Sequence, residues 1–80
     1  MVVAYILINV AIGKVDHVMS KLREIENVKS IAVVAGEFDL IVRVEVKSLE
    51  KLFDVTEKIH RIDGITKTTT HIVEKEIRAD

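Results

Sequence analysis

Histidines, serines and carboxylates are the side chains with which a small domain most often does chemistry, and their spacing here argues against it. His17, His60 and His71 share neither an H-x-H nor an H-x-x-x-H spacing, so no pair is set up as metal ligands on one strand face or one helix turn. They read as surface groups, with His60 near the C-terminal end of a helix complementing its dipole. Ser20, Ser30 and Ser48 lie outside any G-x-S-x-G context. The chain has no cysteine, and most of its acids fall on the polar sides of amphipathic segments, which leaves no carboxylate pair for acid–base work. Neither glycine-rich phosphate motif is present, and one Tyr with two Phe makes no stacking platform for bases. The sequence therefore predicts no enzyme, no catalytic residue, no metal and no cofactor.

The exception is Val34-Ala35-Gly36-Glu37-Phe38-Asp39. A glycine at a reversal between β-branched segments, followed by an aromatic and an acid, admits two readings. In one it is a plain hairpin, with Phe38 in the core and Asp39 capping the turn. In the other its backbone N–H groups form a small concavity for an anion, and Asp39 accepts from an ammonium group.

The surrounding elements follow from periodicity. Val2 to Val10 has apolar residues at both parities, which suits a strand buried on both faces. From Lys14 to Glu26 the period becomes helical, with Val15, Val18, Met19, Leu22 and Ile25 on one stripe and Asn27 as a left-handed terminator. Val28 to Ala35 is a second strand. Phe38 to Lys47 alternates cleanly, Leu40, Val42, Val44 and Val46 against Ile41, Arg43, Glu45 and Lys47. Ser48 suits an N-cap, Leu49, Leu52, Phe53, Thr56 and Ile59 trace a second helix, and Asp63-Gly64 closes it. Thr66 to Ile77 is extended.

Overlaying the halves at an offset of 37 residues (52 − 15) superimposes Val15 on Leu52, Val18 on Val55, Leu22 on Ile59 and Asn27 on Gly64. The chain thus reads as two β-α-β units. Right-handed crossovers place both helices on one side of a single sheet. The expected class is α+β, a ferredoxin-like βαββαβ fold with a four-stranded antiparallel sheet and two helices on one face. Its first and third strands are central. On the open side, Ala4, Ile6, Ile8 and Val10 are expected to form an apolar patch that packs on a second subunit, giving a dimeric alpha-beta assembly.

Composition agrees with one small domain that associates. With 49% hydrophobic residues in an 80-residue chain, one core cannot hide the apolar surface, because a domain this size leaves roughly 40% of its unfolded-chain surface exposed. Lys and Arg number 12 against 13 Asp and Glu, so bulk charge offers no nucleic-acid surface. The apolar start has no basic residue ahead of it and is too short to span a bilayer, so a cytoplasmic protein without membrane contact is expected.

Gly36-Glu37-Phe38-Asp39 entering Leu40-Ile41-Val42-Arg43-Val44, then Asp63-Gly64-Ile65 and Thr69-Thr70-His71-Ile72-Val73, resembles the effector domain of the leucine-responsive regulatory protein/AsnC (Lrp/AsnC) family. That module is also called the RAM domain, for regulation of amino acid metabolism. The resemblance covers essentially all 80 residues, as a single ligand-binding domain over 1–80. It looks like the stand-alone form, without the helix-turn-helix that full-length members carry. The resemblance implies a dimer formed through the sheets, assembled into a ring of dimers, with an amino acid effector bound at contacts between dimers. It carries the binding role onto Val34, Ala35, Gly36, Phe38 and Asp39 of the turn and onto Thr70, His71, Ile72 and Val73 of the last strand. Each strand residue equally suits ordinary packing at an oligomer contact. A chain of this kind does not bind DNA by itself. It senses an amino acid as a free ring, or modulates full-length Lrp/AsnC paralogues by co-assembly.

Two other classes compete. An ACT-like regulatory domain also binds amino acids between subunits, and Gly13 stands where its glycine is needed, after the first strand. A small ferredoxin-like enzyme is the other. An acylphosphatase needs an Arg in the loop Ala11-Ile12-Gly13-Lys14, which has none; a dimeric α+β monooxygenase needs a roomy polar pocket, which the aliphatic stripes oppose.

Overall fold

In the computed structural model, which describes residues 1–80, the elements run β1 (Val2–Val10), α1 (Val15–Leu22), β2 (Val28–Val33), β3 (Leu40–Val46), α2 (Leu49–His60) and β4 (Ile65–Ile72). The strands form one antiparallel sheet in the order β2-β3-β1-β4, so β1 and β3 are central as the two-unit reading requires. This is the ferredoxin-like α+β fold.

Both helices form in the segments where helical periodicity is expected, but the buried face of α2 is Leu52, Val55 and Ile59, while Leu49 and Phe53 of the expected stripe are exposed, so the helix is turned toward Val55. The Ser48 hydroxyl accepts from the Lys51 N–H at 3.1 Å as N-cap. In α1, Val18 and Leu22 are buried. This helix ends at Leu22, four residues short of the expected Glu26, and no residue other than glycine has positive φ, so Asn27 is not a left-handed cap. Tertiary hydrogen bonds take Asn27 instead. Its Nδ2 donates to the Glu45 carbonyl at 3.2 Å, and its own carbonyl accepts from the Glu45 N–H at 3.1 Å.

Gly64 does carry positive φ, +101°, although α2 has already ended at His60. Its carbonyl accepts from Ala11 N–H at 2.7 Å, and a Cβ there would stand 2.8 Å from Lys14 Cβ. The glycine thus lets the loop before β4 lie against the start of α1.

The core overturns the expected orientation of β1. Ala4, Ile6 and Ile8 are fully buried beneath the helices with Leu40, Val42, Val44 and Val46. Val10 packs against the same core. The open face instead carries Val3, Tyr5, Leu7 and Asn9 of β1 beside Ile41, Arg43 and Glu45 of β3, all half-buried. Register explains this, because Ala4, Ile6 and Ile8 lie directly opposite Val44, Val42 and Leu40, and opposed residues share a face. The 37-residue overlay holds in the helices, where Val18 and Val55 are both buried. In the strands it pairs opposite faces, since side chains alternate with period 2 and an odd offset inverts them.

The last strand is also shorter than expected. Val73 N–H donates to Val3 O at 2.8 Å; residues 74–80 make no backbone hydrogen bond to the sheet and leave it, although Val2 of β1 is still available.

Candidate functional site

The turn between β2 and β3 is held from three directions by Asp39. Its Oδ2 accepts from Val10 N–H at 2.8 Å, its N–H donates to Ile8 O at 3.0 Å, and its carbonyl accepts from Val34 N–H at 3.0 Å. The turn is therefore tied to the end of β1 as well as to its own hairpin. Within it, Gly36 has φ +150° with nothing within 4 Å of where a Cβ would sit, so backbone conformation rather than crowding calls for glycine. Ala35, Gly36 and Glu37 are exposed, and Val34 and Phe38 are half-buried. The N–H groups of Ala35, Gly36, Glu37 and Phe38 donate to no acceptor in the chain, and Asp39 Oδ1 accepts from none of its groups.

The four strand residues do not share a face. Thr70 and Ile72 lie opposite Ile6 and Ala4 on the helix side, whereas His71 lies opposite Tyr5 on the open side. Val73 follows at the end of the pairing. As an edge strand, β4 leaves Thr70, His71 and Ile72 exposed.

Nor do turn and strand meet. Asp39 stands beside the Ile8–Val10 end of β1, while His71 is paired four residues back at Tyr5 and on the other side of that strand. At about 3.3 Å per residue and 4.8 Å per strand the two groups are roughly 15 Å apart. One chain brings the turn residues together and the strand residues together, but not both. Five surface depressions, among them the one between α1 and β2 bounded by Met19, Arg23, Val28 and Ile31, include none of the nine residues.

A further cluster on the open face had no counterpart in the sequence reading. Glu76, in the segment after β4, accepts from Tyr5 OH through Oε2 at 2.7 Å and from Arg43 Nη2 through Oε1 at 2.9 Å. Arg43 Nη1 is also paired with Glu45. The Arg43 hydrogen bond, seconded by Tyr5, holds the Glu76 carboxyl below its ordinary range, and the two carboxylates push the Arg43 guanidinium up. Alternation marks Arg43 and Glu45 as face-mates, but nothing local links Tyr5 to a glutamate 71 residues away. His60 Nε2 lies 2.7 Å from Thr68 Oγ1, and no three His, Asp or Glu residues are gathered as a metal site would need. No helix is long and apolar enough to cross a membrane.

Comparison with known proteins extends the pattern beyond this chain. The family model for the Lrp/AsnC ligand binding domain matches residues 3–80. FL11, an HTH-type transcriptional regulator of Pyrococcus furiosus, is 32% identical over 74 residues, covering 92% of this chain and 49% of FL11. The chain spans about half the length of the curated relatives it matches. The crystal structure of a hypothetical protein from Pyrococcus horikoshii, PHS023, is 45% identical with a TM-score of 0.85, covering 95% of this chain and 93% of that one. A feast or famine regulatory protein from M. tuberculosis, solved in complex with L-methionine, is 26% identical with a TM-score of 0.84, covering 100% of this chain and 54% of that one. Sequence model, relatives and backbone shape agree over nearly the whole length, and the chain belongs to the Lrp/AsnC family through its ligand-binding domain.

Proposed function

We propose that this domain is an amino-acid sensor and assembly module that binds a free α-amino acid where its subunits meet. The observation that carries the reading is the run of unpartnered N–H groups from Ala35 to Phe38, on a turn that Asp39 holds in place. Four donors in sequence suit a carboxylate. Asp39 Oδ1, unengaged by the chain, accepts from the ammonium group in this reading. Because the turn and the residues Thr70 to Val73 are too far apart to share a ligand within one chain, the two groups come from different protomers. The relative in complex with L-methionine supports an amino acid as the class of ligand.

Assembly follows from the open face. Val3, Leu7 and Ile41 are only half-buried there, and covering them with a second copy is worth roughly 1 kcal/mol each or more. Face-to-face dimers then join through their edges into a ring, which brings turns and β4 strands of neighbouring dimers together. The domain acts in the cytoplasm and makes no direct contact with DNA; its signal reaches transcription through full-length Lrp/AsnC relatives with which it co-assembles.

A thermal-shift screen of the twenty amino acids, run with light scattering, tests the sensor. A ligand that binds only the folded assembly raises Tm by mass action. At least one amino acid is expected to raise Tm and to change the scattering mass. If none moves either signal, the domain is an oligomeriser without an effector.

A further inference from the structure

The segment after β4 is fastened by one side chain. Glu76 engages Tyr5 and Arg43 with one carboxylate oxygen each, while its neighbours Lys75 and Ile77 are exposed, Ile77 to 76%. Tyr5 and Arg43 are directly opposed on the two central strands, so together they form a carboxylate receptor in the middle of the open face. That receptor recognises a carboxylate, not the chain that carries it. We propose that in the face-to-face dimer Glu76 docks on Tyr5 and Arg43 of the partner subunit, so that the two C-terminal segments are exchanged across the two-fold axis. The inference rests on the pairing of open faces proposed above.

Reach and composition favour the exchange. The last backbone bond to the sheet is made by Val73, and three residues beyond it span up to about 10 Å. Facing sheets are stacked about 10 Å apart. A span of this length is enough to cross the gap between the two sheets. A segment lying flat on its own sheet would take the space that the partner's Val3, Leu7 and Ile41 need, whereas a segment crossing the gap makes both charge-assisted hydrogen bonds part of the association. It also gives Ile77 an apolar surface to cover. Swapping an identical element between copies preserves every contact of that element, which makes it a low-cost route to a dimer.

Charge reversal with mixing separates the exchanged from the unexchanged arrangement. Arg43→Glu and Glu76→Arg are prepared as single variants and as one double variant, and dimer dissociation constants are measured by analytical ultracentrifugation. Each single variant is expected to weaken its homodimer about tenfold or more, since like charges then meet at the receptor. Mixing the two single variants restores near-native affinity, because each receptor meets its complement on the other chain. The double variant dimerises whether or not the segments exchange, and so reports that the reversed pair is tolerated. If the double variant dimerises and the mixture does not, the segment stays on its own chain and the exchange is wrong. Single variants that dimerise like the wild type also overturn it. A wild-type chain that is monomeric removes the pairing of faces itself. As a second measurement, Arg43→Cys/Glu76→Cys in this cysteine-free chain is treated with a short bismaleimide. Exchange gives a covalent species of twice the chain mass, and a crosslink confined to one chain refutes it.

Discussion

The Asp39 carboxylate accepts a 2.8 Å hydrogen bond from the backbone N–H of Val10, joining the turn between β2 and β3 to the last residue of β1 across 29 positions of sequence. The bond is part-buried and its acceptor is a carboxylate oxygen, which places it among the stronger class. Replacing Asp39 by Ala leaves that N–H without its partner and is expected to cost about 1–3 kcal/mol in urea unfolding. Asp39→Asn keeps an acceptor oxygen and recovers part of the loss. If both variants unfold with the wild type, the bond does not hold the turn.

Two glycines with positive φ predict different penalties. At Gly36 an added Cβ meets nothing, so Gly36→Ala costs only the backbone strain, about 1–2 kcal/mol. At Gly64 the same strain is compounded by a Cβ 2.8 Å from that of Lys14. Gly64→Ala is therefore the more damaging, and its Tm should fall below that of Gly36→Ala by several degrees. Equal melting temperatures would mean that the Lys14 contact relaxes freely.

Orientation of β1 is tested by neighbours of similar size. Ile6→Ala opens a cavity beneath the helices and should cost about 2–5 kcal/mol at any protein concentration. Leu7→Ala, on the open face, should cost less than about 1 kcal/mol in dilute protein and show itself mainly as weaker association. Urea melts at two concentrations distinguish the cases, and a reversed order would place Leu7 in the core.

Acid should release the C-terminal segment. Arg43 first and Tyr5 second depress the Glu76 carboxyl relative to its unfolded value of 4.5. A carboxylate with a depressed folded pKa contributes fully above the unfolded value and loses that contribution as pH falls through the folded one. Attachment through Glu76 is thus complete at neutral pH, begins to weaken only below about 4.5 and is lost as pH falls through the lower folded value. An NMR pH titration should show Tyr5 ring shifts moving with Glu76, and Glu76→Gln should abolish that step while leaving the fold intact. Independent titration of Tyr5 shifts would contradict the linkage.

Much of the fold could be read in the sequence where a single element carries its own signal. The buried residues of α1 and two of the three in α2 were among those the helical stripes nominated, Val55 being missed while Leu49 and Phe53 prove exposed; the parity of β3 was evident because Arg43 and Glu45 interrupt only one of its faces, and Ser48 caps as its position implies. The first strand carried a fainter mark: its two polar residues, Tyr5 and Asn9, share the parity that proves open, but both parities are rich in aliphatic side chains, and packing against the helices decided which set is buried. The candidate site divided in the same way. Gly36 and Asp39 stood out because a turn demands particular residue types, whereas the distance between that turn and Thr70 to Val73 depends on how β1 lies between them.

By itself the sequence determined the element types, their order and the family, because periodicity of 3.6 or 2 and turn chemistry act between near neighbours. Only the tertiary structure decided which face of β1 is buried, where Asn27 bonds, and that Tyr5, Arg43 and Glu76 converge. Those outcomes depend on register and packing between segments up to 71 residues apart. A one-residue slip in register inverts a strand's faces while leaving its own pattern unchanged.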